Sequence, residues 1–229
     1  MKSSLNTLAF LLLLTGSTVN AQDFLAPHNL TLGVTGQYNE KLKTVFSDAY
    51  SKESTAQVMI RSNSPEKVIY IRETEGGPEL LTATASTRIY DIDVKEHWKE
   101  IERDRGVKIN GIEKLQSLGE IKDVTVASKK RNISPALYTK LKDLWQQELM
   151  HVRRDSAGRA NLTLDGATYD YSMRISRAVF ISGTASDGAS PRLDKLASIS
   201  KDLSLLVDGE KSENEILHDI SIFNQMPTK

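Results

Sequence analysis

The sequence predicts an α+β fold: a mainly antiparallel sheet of five to seven strands, covered on one face by two longer helices. Three observations carry that expectation. Strand-like runs joined by short turn-rich links fill Ala56 to Ile92. Two helical patterns open at Ser134-Pro135 and Ser190-Pro191, each an N-cap residue followed by proline at the first helical position. Between them, Arg159 to Arg174 alternates apolar and polar residues around Asp165-Gly166, a favoured pair for a type I′ hairpin turn.

Taken from the N-terminus, Lys2 precedes the apolar run Leu8–Leu14, and Val19-Asn20-Ala21 fits a small-x-small cleavage site. The run is shorter than the ~20 residues that span a bilayer. Residues 1–21 therefore read as an export signal, leaving 22–229 as a single α+β domain with a weakly ordered start. The chain has no cysteine, which removes thiol nucleophiles, thiolate zinc sites and an acyl lipoprotein anchor. An exported, cysteine-free chain fits a bacterial periplasmic or secreted protein that relies on its core rather than on disulfides. Its 30 basic and 30 acidic residues balance. No global charge favours nucleic acid or an anionic membrane.

Gln22 to Ser54 is weakly patterned. Three strands are expected at Ala56–Ser62, Lys67–Thr74 and Glu79–Ile92, linked by Asn-Ser-Pro-Glu and Glu-Gly-Gly-Pro. A helix follows over Asp93–Gly106: Asp93 and Glu96 have capping-box spacing and Gly106 can end it. Ile121–Ser128 alternates as a strand, and Lys129-Lys130-Arg131 reads as a solvated loop. In the helix from Ser134, Leu137, Leu141, Leu144, Trp145 and Val152 form a buried stripe, and Ile133 can staple onto Tyr138. The hairpin places Leu162 and Leu164 on one strand opposite Ala167, Tyr169, Tyr171 and Met173 on the other. Arg177–Gly183 extends the sheet. A second long helix ends at Gly209, and a short C-terminal helix opens on the capping box Ser212/Glu215.

The order of parts carries a resemblance. A helix with L-x-x-x-W (Leu141, Trp145) leads to basic Arg153, then to LDG-x-x-Y-x-aromatic (Leu164, Asp165, Gly166, Tyr169, Tyr171) and a Leu-rich helix. This resembles a diffuse set of exported bacterial proteins of unknown function, over Val58 to Val207. The resemblance implies a small α+β domain, and no activity or catalytic residue comes with it.

The residues that could carry chemistry are few. Ser198 and Lys201 have Ser-x-x-Lys spacing, but the helix turns both away from its apolar side, and the companion motifs are missing. Ser64 and Lys67 sit at a proline turn. No nucleophile elbow occurs; Gly183–Gly188 lacks its first glycine. Two Glu-x-x-His pairs, Glu148/His151 and Glu215/His218, repeat half of a di-iron carboxylate pattern, but too few long helices are expected to complete it. No metal or cofactor is therefore assigned. Asp91, Asp93 and Asp170 are carboxylates available by default, with Asp170 on the polar, solvated side of its strand. Glu148 is the residue that stands out. It falls inside the apolar stripe, where an ionised carboxylate is costly unless paired. Arg153, Arg154, Arg159 or an arginine from another element could pair it, or it could face a ligand.

The expectation for function is a non-catalytic periplasmic binding or interaction domain, with a protein partner or a small ligand. The competing expectation is a small periplasmic hydrolase built on Glu148, His151 and Asp170. Neutralisation of an exported toxin is a special case of the first.

Overall fold

The computed structural model describes residues 23–27, 37–106, 108, 115, 117–153, 166–176 and 179–228. Along the chain run α1 (Tyr38–Val45), a short 3-10 turn (Ser47–Tyr50), β1 (Ser54–Arg61), β2 (Lys67–Thr74), β3 (Gly77–Ala85) and α2 (Ile89–Arg105). There follow β4 (Val126–Asn132), α3 (Pro135–Met150), β5 (Thr168–Arg174), β6 (Phe180–Ser186), α4 (Pro191–Asp208) and α5 (Glu213–Gln225). The strands form one six-stranded sheet in the order β4-β3-β2-β1-β5-β6, and every neighbouring pair is antiparallel. This is the α+β architecture the sequence predicts. No helix among the described residues is long and apolar enough to cross a membrane.

The period of two in the strands divides the core. One set of side chains (Val58, Ile69, Ile71, Leu80, Tyr169, Tyr171, Met173) meets Leu137, Leu141, Leu144 and Trp145 of α3 and Leu193, Leu196 and Leu203 of α4, with Ile216, Ile220 and Phe223 of α5. These are the predicted long helices, on the predicted stripe. The alternate set (Met59, Val68, Tyr70, Leu81, Ala83) is covered by Tyr38 and Leu42 of α1, by Phe46 and Ala49 just after that helix, and by Ile89 of α2. Residues 38–49 thus help to build a second, smaller core on the other face.

The caps explain where the helices begin and end. Ser134 and Ser190 each accept an N–H bond from the third helical residue, with proline in the first turn. Ser212 and Glu215 form the reciprocal capping box. Gly106 and Gly209 close α2 and α4 in the left-handed region at φ 65° and 82°, conformations that cost glycine little.

Four boundaries differ from expectation. β3 ends at Ala85 and α2 begins at Ile89, so Asp93 is not an N-cap but a fully buried residue one turn inside the helix. Ile121–Asp123 is a 3-10 turn. β4 therefore starts later and includes Lys129-Lys130-Arg131, which are strand residues rather than a loop. Of the predicted hairpin, Arg159–Asp165 lie outside the described residues. β5 does not use such a partner: it pairs with β1 from Thr168 to Met173 on one side and with β6 from Thr168 to Arg174 on the other.

Candidate functional site

Helix α3 carries Glu148 into the core, 4% exposed, among the apolar side chains that face the sheet. Its partner comes from another element. Arg192, in the first turn of α4, donates from Nη2 to Glu148 Oε1 at 2.6 Å. Its Nη1 donates to the carbonyls of Phe223 at 3.2 Å and Met226 at 3.0 Å, at the end of α5. The guanidinium also lies 4.0 Å over the Phe223 ring. One cation thus holds three helices together, and Glu148 supplies the compensating charge that makes its burial tolerable. The nearby arginine Arg153 stacks on Phe24 instead, 4.4 Å from the ring centre; Arg154 and Arg159 lie outside the described residues.

His151 does not join Glu148. It is the C-cap of α3, exposed to solvent, and its Nδ1 lies 2.7 Å from the carbonyl oxygen of Gln147. Strand alternation then separates Asp170 from both: Tyr169 and Tyr171 point to the α3 side, so Asp170 points to the other face of the sheet. There it is not merely solvated. Arg61 approaches with Nη2 at 3.0 Å from Oδ1 and Nε at 2.5 Å from Oδ2, and Thr184 donates from Oγ1 to Oδ1 at 2.8 Å. The three sequence candidates therefore do not converge on one point.

The same face holds a carboxylate that the sequence did not single out. Glu66, in the β1–β2 link, is 1% exposed. It accepts the Tyr38 hydroxyl at 2.8 Å, the backbone N–H of Ile89 at 2.7 Å and that of Tyr90 at 2.9 Å. Those amides open α2, whose N-cap residue Arg88 offers no side-chain acceptor. A remote glutamate is the cap, favoured by the positive end of the helix dipole. Burial first, and then Glu66, push the Tyr38 hydroxyl far above the usual tyrosine range. Burial first, then Asp170, push neighbouring Tyr50 up to about 12. Both phenols stay protonated at neutral pH and serve as hydrogen-bond groups.

The remaining candidates are similarly engaged. Asp91 pairs with Arg88 at 3.1 Å, and Lys41 bridges Asp93 and Glu96 at 2.7 Å each. Lys201 faces Asp187 at 3.6 Å and lies 5.5 Å over the Tyr169 ring. Glu215 is held by Ser212, while His218 is exposed. Among the described residues no three His, Cys, Asp or Glu side chains are grouped to hold a metal.

What is exposed is apolar and clustered. Ile175, Val179 and Phe180 are 47%, 48% and 54% exposed, three of the five large apolar residues so exposed among the described residues. They sit at the tip of the β5–β6 hairpin, closed by Ile175 N–H donating to the Val179 carbonyl at 2.9 Å. Arg174 stacks 4.1 Å over Phe180 and donates to the Ser51 carbonyl at 3.3 Å, which fixes the direction of the tip. No family model, curated protein or solved structure matches this chain.

Proposed function

We propose that this chain is exported and works in the bacterial periplasm as a non-catalytic interaction domain that contacts a protein partner through the β5–β6 hairpin tip. The observation that carries the reading is the clustering of Ile175, Val179 and Phe180 in solvent on one supported turn. Exposed apolar patches on soluble domains mark contact surfaces, because leaving them wet is unfavourable. The closed carboxylates support the same reading: Glu148, Asp170 and Glu66 each face fixed partners within the fold rather than a shared cleft. The address rests on Lys2, Leu8–Leu14 and Val19-Asn20-Ala21.

The test is cross-linking in living cells, followed by fractionation. The processed chain should begin at or near Gln22 and carry a cross-linked partner. Val179→Ser with Phe180→Ser should keep the melting temperature within a few degrees and lose that partner. Undiminished cross-linking by the double variant would remove the tip from the interface, and an unprocessed chain in the inner membrane would remove the periplasmic address.

A further inference from the structure

The two edges of the sheet are treated differently. At β6, Ala26 and Thr184 exchange backbone hydrogen bonds of 2.9 and 2.7 Å, so part of that edge is covered. At β4 no described strand lies outside. The ladder parity fixes which groups are left over. Ser86 N–H donates to the Thr125 carbonyl at 2.8 Å, and Ile133 N–H to the Pro78 carbonyl at 3.0 Å. Between these two bonds the pairing runs one to one from Val126 to Asn132 without a bulge. Residues of odd number therefore turn their backbone groups toward β3, and Val126, Ser128, Lys130 and Asn132 turn theirs outward.

We propose that this outward edge of β4 binds an extended acidic segment of a partner protein, which adds to the sheet as a seventh strand. This site is separate from the hairpin tip and goes beyond the reading given for it. Its chemistry follows from side chains on each side of the edge. Lys129 lies with Arg131 on the α4 side, where it meets Asp208 and Arg131 meets the Leu206 carbonyl. Lys130 lies on the other side, where it meets Glu79. Lys129 and Lys130 are 66% and 63% exposed; the Lys129–Asp208 pair lies open enough to exchange at little cost, and the buried Glu79 keeps Arg72 at 2.7 Å when Lys130 turns to a partner. From Thr125 to Ile133 the sequence TVASKKRNI has no acidic residue.

A lysine-bearing edge repels most strands. A second copy of β4 would set Lys129 and Lys130 against their own kind, and like charges opposed across strands are destabilising. A strand with two successive carboxylates is the complement. Successive side chains point to opposite faces, so one carboxylate reaches Lys129 and the next reaches Lys130, while its backbone takes the outward N–H and C=O groups. Affinity then comes from the main chain and selection from the two lysines.

The probe is a capped peptide with the sequence Thr-Val-Glu-Glu-Val-Thr, titrated into the isotope-labelled full domain, with Gln-Gln in place of Glu-Glu as the control. Binding should shift and protect from exchange the amides of Ser128, Lys130 and Asn132, and the control should bind at least tenfold more weakly. Lys130→Pro removes an outward N–H that the native ladder does not use, so the domain should stay folded and the peptide should be lost. Lys129→Gln with Lys130→Gln, which leaves the backbone unchanged and sets no new carboxylate against Glu79 or Asp208, should also weaken binding at least tenfold and guards against misfolding of the proline variant. Absence of wild-type binding, equal binding by either variant or by the control peptide, or dimerisation of the domain through β4 would each overturn the proposal. Cross-linking through the hairpin tip is read separately, so it stands or falls on its own result.

Discussion

At the scale of single residues, Arg192 decides the fate of Glu148. Glu148→Ala leaves a guanidinium buried against Phe223 and Met226 with no counter-charge, and should cost about 3–5 kcal/mol in chemical denaturation. Glu148→Leu should also destabilise, because a leucine matches the stripe but leaves Arg192 equally uncompensated. Adding Arg192→Met to Glu148→Leu should recover much of the loss, and a double-mutant cycle measures the coupling. Glu79 offers a pH readout. The Lys130 ammonium first, then Arg72, hold its carboxyl below the usual range. Stability tied to that depression is complete above the ordinary carboxylate value of ~4.3. It fades as pH falls through the depressed value, because the protonated acid no longer serves both cations. Glu79→Gln should therefore lose less stability than the wild type between neutral and acidic pH, as read from denaturation midpoints.

At the scale of elements, the close approach at β6 is the most exacting fit. A Cβ at Gly183 would lie 2.7 Å from Val152 Cγ2 and 2.9 Å from Leu25 Cβ. Both belong to segments laid across this strand from outside the sheet's own hairpins. Gly183→Ala should cost about 1–3 kcal/mol by overpacking and should expose the Ala26–Thr184 amides to faster hydrogen exchange. Sequence periodicity found β2 to the residue, and the cores of α3 and α4, because those elements carry their own caps and apolar faces. It missed the start of α2 because the cap is Glu66, which is 23 residues from Ile89 in the chain. No local signal marks a cap supplied from so far away. It expected a strand over Ile121–Ser128 where β4 spans Val126–Asn132, because an edge strand with cations on both sides shows no alternation of burial to mark its end. The hairpin reading at Asp165-Gly166 assigned β5 a local partner, whereas the register joins Tyr171 to Val58, a pairing that no short-range pattern encodes. Glu148 was legible as a charge in an apolar stripe; Arg192 was not, since the partner lies on another helix.

At the scale of the whole molecule, one sheet divides two cores. β2 shows why: Val68, Ile69, Tyr70 and Ile71 are all buried, and an unbroken apolar run in an antiparallel strand means that both faces are covered. The sequence Val-Ile-Tyr-Ile contained that information, although the cover on the second side comes from α1, whose own pattern is weak. Asp170 and Glu148 belong to different sides of this division, which is why two carboxylates chosen from one list never meet.

The cap on α2 also sets an order of events. Glu66 gathers Tyr38, Ile89 and Tyr90, so its bonds require α1, the β1–β2 link and α2 to be in place together. Contacts that join three segments return little free energy until the loops between them have closed, so these bonds are expected to form after the folding barrier. Glu66→Ala should therefore leave the refolding rate within about twofold of wild type and place nearly all its effect on a faster unfolding limb. Stopped-flow measurements on both limbs read this directly, and a slowed refolding limb would assign the cap to the folding nucleus. On this ordering Glu66 acts as a lock rather than a seed: it lengthens the lifetime of the native state without hastening its formation.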